Sequence, residues 1–186
     1  MRKSIVVIVM LAAIVAAVNL EAREFVISPS RVETIVSPTE ERDARVLVFF
    51  ELPPELLTGK MTVDNAVLVF DAQVADADFG LLHIFPVTKA WRTEQTVAWS
   101  SPWEKAGGDY TQRIAGKSVT MKATEGEKKI SSNVTFIVMD WLSGRLANNG
   151  LIFVPSEQDL LNSSVRYSLQ KGSMKLKIEC TEARAR

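Results

Sequence analysis

The sequence predicts an all-β protein: a jelly-roll-like antiparallel β-sandwich with two short helical connections, preceded by a signal peptide. Two observations carry this prediction. Short apolar runs rich in β-branched and aromatic residues recur between turn signals after residue 22, at a spacing typical of sandwich strands. The same part of the sequence contains no long amphipathic helix and no internal repeat, which argues against helical bundles and solenoids.

The first 18 residues have the pattern of an export signal. Arg2 and Lys3 form a basic start, and an uninterrupted apolar run follows over residues 5–18. That run is shorter than the roughly 20 residues that cross a bilayer as a helix, so a cleaved signal fits better than its alternative, an uncleaved N-terminal anchor. The small residues Ala17 and Ala22 mark two possible cleavage positions. We therefore expect a signal peptide over residues 1–22 and a secreted or cell-surface protein.

The remaining residues, 23–186, have the length of a single domain that buries its own core. Removing Arg2, Lys3 and Glu21 from the 22 basic and 22 acidic residues leaves 20 basic and 21 acidic residues, a net charge of −1. A chain with this balance has no net field that attracts nucleic acid. We expect no nucleic-acid partner, and membrane contact only through the signal segment.

Six runs of the mature chain are predicted to be strands. In order they are residues 45–51, 66–70, 81–87, 118–123, 151–154 and 175–180. The last run alternates strictly and places Leu176 and Ile178 on one face, as in a half-buried strand. Runs too apolar to alternate indicate central strands that are covered on both faces.

Two segments interrupt the strand pattern with apolar residues at helical spacing. Val87 and Trp91 are four residues apart, and Val138 and Trp141 are three apart, so each pair shares one face of a helical turn. These spacings predict short helical connections over residues 88–91 and 135–141. Each connection would bring its tryptophan onto the end of the sandwich as a core residue.

The residues that carry catalysis or metal binding are scarce. His83 is the only histidine and Cys180 the only cysteine, so a His-rich zinc site is excluded and no nucleophile motif accompanies His83. Asp76 and Asp78 supply too few oxygen ligands for a calcium loop. We expect no catalytic residues, metal or cofactor. Cys180 is predicted to be a strand residue that packs as a small hydrophobe, with pairing between two chains as the alternative.

Two tryptophan-containing segments resemble a known family. The first segment matches through Val87, Thr88, Trp91, Glu94, Val97, Trp99, Pro102 and residues 107–110. The second matches through Asn133, Val134, Thr135, Val138, Trp141, Asn148, Gly150 and Leu151. Together with the strand at residues 66–70, they resemble the DNRLRE domain over about residues 44–178. The motif that names the family is not present, and Asn133 stands where the family has an aspartate.

The resemblance implies an exported, non-catalytic module that binds polysaccharide or a cell-surface glycan, since DNRLRE domains are related to carbohydrate-binding modules. A structural surface or matrix protein that makes protein–protein contacts is the alternative. A hydrolase is the least favoured interpretation, because no pair of carboxylates lies in a recognisable motif. The identity of the glycan stays open.

A ring-stacking site is the expected chemistry of such a module, because aromatic rings are large, rigid and amphipathic. Trp103 follows Pro102 in a loop that contains Gly107 and Gly108, so we expect an exposed platform there. Tyr110 and Arg113 are predicted to flank this platform. Trp99 is predicted to be a core residue.

Overall fold

The computed structural model describes residues 22–40, 43–75, 79–122, 126–157 and 166–182. The predicted signal peptide lies outside these residues except for Ala22, the first residue of β1, and Asp76 and Asp78 also lie outside them. The described strands are β1 (Ala22–Ile27), β2 (Arg31–Val36), β3 (Ala44–Phe49), β4 (Met61–Ala75), β5 (Phe79–Pro86), β6 (Val119–Lys122), β7 (Lys128–Asn133), β8 (Leu151–Pro155) and β9 (Arg166–Glu182). One 3-10 helix (Pro54–Thr58) and one α-helix, α1 (Thr135–Leu142), complete the described elements.

The described strands form two antiparallel sheets. One sheet has four strands in the order β1-β9-β4-β7, and the other has five in the order β2-β3-β8-β5-β6. The sheets pack on each other through a shared core, in which Phe70 of β4 meets Phe153 of β8 edge to face at 5.1 Å between ring centroids. The predicted all-β sandwich is therefore confirmed.

The alternation predicted for the last strand places one face of β9 in this core. Leu176, Ile178 and Cys180 are completely buried, while Lys177 and Glu179 between them are exposed. Successive side chains of a strand point to opposite faces, so the sequence period of two translates directly into this burial pattern. Cys180 is a buried strand residue, as predicted.

Central strands of the five-stranded sheet are covered on both faces, as their apolar runs predict. On β3, Val46 and Val48 contribute to the core between the sheets, whereas Leu47 and Phe49 contribute to a second apolar cluster. All residues of β8, Leu151–Pro155, are buried. The second cluster requires a covering layer outside the sandwich, and the candidate site lies in that layer.

Of the two predicted helical connections, one is confirmed and one is wrong. The helix α1 forms where the second was expected, and it buries Trp141 as predicted. Residues 88–91 are not helical, although Trp91 is fully buried. Within the described residues, no helix has the length and apolar character needed to cross a membrane.

Distant polar side chains explain why residues 88–91 do not form a helical turn. The carbonyl oxygen of Thr88 accepts a hydrogen bond from Asn149 Nδ2 at 3.0 Å. Arg31 Nη1 donates to the carbonyl oxygens of Arg92 and Glu94 at 2.6 and 2.7 Å. These tertiary bonds satisfy the carbonyl group of Thr88 and those of two residues just beyond the segment, so helical spacing alone does not decide its structure.

Candidate functional site

Residues 87–118 connect β5 to β6. The first part, up to Tyr110, packs on the outer face of the five-stranded sheet, and the last part turns to the other sheet, where the Lys117 N–H donates to the carbonyl oxygen of Asn133. Val87, Trp91 and Trp103 of the first part join Leu47 and Phe49 of β3 in the second apolar cluster. Connections this long without regular structure are uncommon in compact domains and are usually functional when they are ordered. This connection, the covering segment, is therefore the candidate location of the site.

Arg45 of β3 anchors the covering segment to the sheet. Its guanidinium forms two 2.8 Å hydrogen bonds with the carboxylate of Asp43, and Nη1 donates to the carbonyl oxygen of Gly107 at 2.8 Å. The same guanidinium lies over the ring of Trp99 at 4.6 Å and over that of Tyr110 at 5.8 Å from the centroids. A planar cation with a fixed fork of donors suits this combination of paired and stacked contacts. Arg45 thereby fixes two aromatic rings and one loop in a single arrangement.

Asp109 closes the loop that follows Trp103. Its carboxylate accepts hydrogen bonds from the backbone N–H groups of Glu104 at 2.7 Å and Lys105 at 3.0 Å. Its carbonyl oxygen accepts a third bond from the backbone of Thr88 at 2.8 Å. The carboxylate and carbonyl of one residue thus connect the loop after Trp103 to the start of the covering segment.

Gly107 allows this loop to approach the Arg45 anchor closely. Its φ of +89° lies in the left-handed region, and a Cβ there would come within 2.7 Å of Arg45 Nη1 and 2.9 Å of the Trp99 ring. Such contacts are too short for any side chain, so glycine is required by both conformation and space.

The anchored loop borders a surface groove of about 640 Å³, called the loop groove below. The lining consists of Arg45, residues 88–89, residues 104–106, residues 108–110 and Gln112. It therefore presents hydroxyl, ammonium, carboxylate and amide groups together. Glu104 and Lys89 form an open ion pair at 3.6 Å, and the ammonium group of Lys105 has no partner among the described residues.

The prediction that Trp103 is an exposed platform is wrong. Its side chain belongs to the second apolar cluster and is only 7% exposed. The chain turns back between Ala98 and Ser101, which pair in a short antiparallel bridge, and Trp103 Nε1 donates to the carbonyl oxygen of Ala98 at 2.8 Å. The ring folds beneath this turn because burial of a large apolar surface outweighs the polar character of its sequence neighbours.

Tyr110 does line the loop groove, but its ring cannot act as a free stacking face. Phe85 stacks on one side at 5.2 Å with an interplanar angle of 14°, and the Arg45 guanidinium lies 5.8 Å from its centroid. The hydroxyl group has no hydrogen-bond partner among the described residues. Tyr110 is thus suited to contact a ligand through its edge and hydroxyl group rather than through its face.

Arg113, the third predicted site residue, lies outside the loop groove. It lines a smaller depression of about 390 Å³ beside α1, called the helix cleft below. The other lining residues are Ile114, Ala115, Phe136, Asp140 and Arg145. The structure therefore separates Arg113 from Tyr110, although only two residues lie between them in the sequence.

Sequence reasoning missed several residues of these two surfaces. Arg45 begins the apolar run RVLVFF, and its central role could not be read from a single charge at the start of a strand. Trp99 was expected in the core, yet it is only partly buried and stacks on Arg45. Phe136 precedes the helical pattern of Ile137, Val138 and Trp141. Its position is out of phase with the buried face that these residues form, and this was the available sequence signal that its ring is exposed.

The remaining candidate for chemistry is a pair formed by His83 of β5 and Ser118, the residue before β6. His83 Nδ1 and Ser118 Oγ are 2.8 Å apart, and His83 stacks on Phe85 at 5.8 Å. No carboxylate among the described residues hydrogen bonds to His83, so the orienting third member of a nucleophilic triad is missing there. The described residues also contain no group of three or more His, Cys, Asp or Glu side chains placed to hold a metal ion.

Comparisons with known proteins give no relative from which a function could be assigned, so the functional assignment depends on the geometry described above. No protein-family profile matches the chain, and no curated protein sequence matches it significantly. The fold and the site define the class: an all-β sandwich in which a long anchored connection covers one sheet and borders a polar groove.

Proposed function

We propose that the chain is an exported, non-catalytic module that binds polysaccharide in the loop groove. The observation that carries this proposal is the Arg45 anchor, which holds a polar-lined concave surface in one conformation before any ligand binds. Preorganisation of this kind reduces the entropy lost on binding. The resemblance to DNRLRE domains and the export pattern of residues 1–18 support the same function.

The size and chemistry of the groove suit a short stretch of sugar units. Its volume of about 640 Å³ lies within the range of roughly 300–1,000 Å³ typical of small-ligand sites. Sugar hydroxyl groups are donors and acceptors at once, and they match a lining that offers Thr88, Lys105 and Gln112. The hydroxyl group of Tyr110 and the open Lys89–Glu104 pair add further partners.

The alternative function, a structural protein that assembles through protein–protein contacts, has less support. Long bare edge strands favour assembly by edge pairing. The edge strands β1, β2 and β7 have six residues each and β6 has four, and β7 carries two lysines, Lys128 and Lys129. Where β9 extends past β1, over residues 166–175, its edge carries Lys171 and Lys175. Short edges and lysines are features that block such pairing.

A binding screen tests the proposal. Protein secreted on expression of the full sequence is titrated with a panel of soluble polysaccharides that covers neutral glucans, xylan, mannan, chitin oligosaccharides and polyuronates. At least one should bind, and Lys105→Ala should weaken that binding by roughly tenfold to a hundredfold, the loss of one hydrogen bond to a charged group. Lys60→Ala, which removes an exposed lysine outside the groove, is the matched control. Failure of the wild type to bind any member of the panel would favour the structural alternative.

A further inference from the structure

The most exposed large hydrophobic residue of the described chain is Phe136 on α1. Its side chain is 72% exposed, whereas Ile137, Val138 and Trp141 of the same helix are buried in the core. The ring is therefore held on a rigid element whose other face is fixed by packing. A single exposed apolar residue is ordinary on a protein surface, so its surroundings decide whether it has a role.

Those surroundings are concave and polar. Phe136 forms one wall of the helix cleft, and Arg113, Asp140 and Arg145 provide the polar groups around it. Asp140 and Arg145 form an ion pair through Asp140 Oδ1. The second carboxylate oxygen, Oδ2, has no partner among the described residues, and neither has the guanidinium of Arg113.

This combination has the chemistry of a sugar position. The C–H face of a pyranose ring packs on an aromatic face, and its hydroxyl groups bind planar polar side chains at the rim. The cleft supplies one free aromatic ring, one free guanidinium and one free carboxylate oxygen within about 390 Å³. The loop groove lacks a free ring face, because Tyr110 is covered by Phe85 and Arg45. The helix cleft thus offers the stacking contact that the loop groove does not.

We propose that the helix cleft is a second carbohydrate-binding position, in which one pyranose ring stacks on Phe136 and is hydrogen bonded by Arg113 and Asp140. This inference rests on the proposed function and extends it. Gln112 lines the loop groove and Arg113 lines the helix cleft, so consecutive residues of one stretch of chain contribute to the two positions. Two positions that engage the same polysaccharide raise its overall affinity above that of either one alone.

Substitutions on α1 test the second position. The probe is the panel polysaccharide that binds the wild type most tightly. Phe136→Ala should weaken its binding about tenfold, the upper range for loss of one aromatic contact. Phe136→Tyr should retain the affinity, because it keeps the ring. Met139→Ala is the matched control, since Met139 is 37% exposed on the same helix but does not line the cleft.

The thermal midpoint of each variant separates binding from folding. Phe136→Ala should leave the midpoint nearly unchanged, because the side chain contributes little buried surface. If Phe136→Ala binds like the wild type while Lys105→Ala binds more weakly, the second position is wrong and the proposed function stands. If both variants weaken binding, both positions are supported. If the wild type binds no polysaccharide of the panel, the proposed function and the second position are both wrong.

Discussion

At the scale of single residues, the largest difference from expectation concerns the tryptophans. Trp103 was expected in solvent and is buried, while Trp99 was expected in the core and is only partly buried. Both rings belong to one loop, and the tight turn between Ala98 and Ser101 decides which of them faces the sheet. Trp103 is consequently a residue that holds the covering segment in place.

The burial of Trp103 leads to a stability prediction. Trp103→Ala should lower the free energy of unfolding by about 3–5 kcal/mol, because a large buried ring leaves a cavity. Trp103→Phe should cost less, since it keeps most of the apolar contact and loses the hydrogen bond to Ala98. Denaturant unfolding measures both values. An unchanged denaturation midpoint for Trp103→Ala would mean that the ring is exposed in solution.

At the scale of elements, the covering segment has no regular structure of its own and depends on side chains of the sheet. Near the start of the covering segment, Arg31 binds the carbonyl groups of Arg92 and Glu94. Farther along the segment, Arg45 binds the carbonyl group of Gly107. Arg31 lies at the beginning of β2 and Arg45 at the beginning of β3. Two arginines on neighbouring strands thus connect an irregular segment to a regular sheet.

A double-mutant cycle measures the strength of the Arg45 anchor. The side chains of Arg45 and Asp43 are 13% and 11% exposed, so this ion pair is nearly buried. Arg45→Ala should destabilise the fold by about 3–5 kcal/mol, because it leaves the Asp43 carboxylate without its partner. Removing Asp43 as well should restore part of this loss, since the uncompensated charge disappears.

The exposed pair of Lys89 and Glu104 is the control for that cycle. Lys89→Ala should lower the free energy of unfolding by less than about 1 kcal/mol, because both partners are solvated.

Arg45→Ala should also weaken polysaccharide binding, since it loosens one wall of the loop groove. Equal unfolding free energies for Arg45→Ala and the wild type would contradict the anchoring role.

At the scale of the whole molecule, the two sheets differ in what lies outside them. The covering segment packs on the outer face of the five-stranded sheet up to Tyr110, and farther along Ile114 packs against the core between the sheets. Both candidate positions include residues of that segment. On β9 of the four-stranded sheet, outward residues such as Lys177 and Glu179 are exposed. The shared core between the sheets holds Cys180 among fully buried apolar side chains.

The position of Cys180 in this core predicts a loss of stability at alkaline pH. Burial, and to a smaller extent the nearby negative charge of Asp64, raises the pKa of the Cys180 thiol above its ordinary value of 9.0. At pH values between the pKa of the thiol in the unfolded chain and its pKa in the folded protein, the unfolded chain has lost the thiol proton and the folded protein has kept it. The contribution to stability is therefore complete below pH 9.0 and declines as the pH rises above it.

Unfolding measurements at several pH values test this prediction. The free energy of unfolding of the wild type should fall more steeply above about pH 9 than that of Cys180→Ala, by up to about 1.4 kcal/mol per pH unit. The variant is the necessary control, because lysine and tyrosine side chains titrate in the same range. Parallel pH dependences of the two proteins would show that the thiol ionises equally in both states.

The sequence by itself determined the features that depend on local periodicity. The strict alternation around Leu176 and Ile178 sets one face of β9 toward the core, and the continuous apolar run from Val46 to Phe50 requires cover on both faces. The spacing of Val138 and Trp141 likewise specifies α1 and its buried side. A period of two or of three to four residues is a property of the chain alone, so it can be read before the fold is known.

Only the tertiary structure decided the conformation of the covering segment and the composition of the two candidate positions. Residues 88–91 have helical spacing, yet hydrogen bonds from Arg31 and Asn149, which are distant in sequence, hold the chain open around them. Tyr110 and Arg113 are only three positions apart in sequence and line different depressions. Irregular segments lack a repeating backbone pattern, so contacts with distant residues set the direction of each side chain. That is the physical reason why the sandwich was predictable and the site was not.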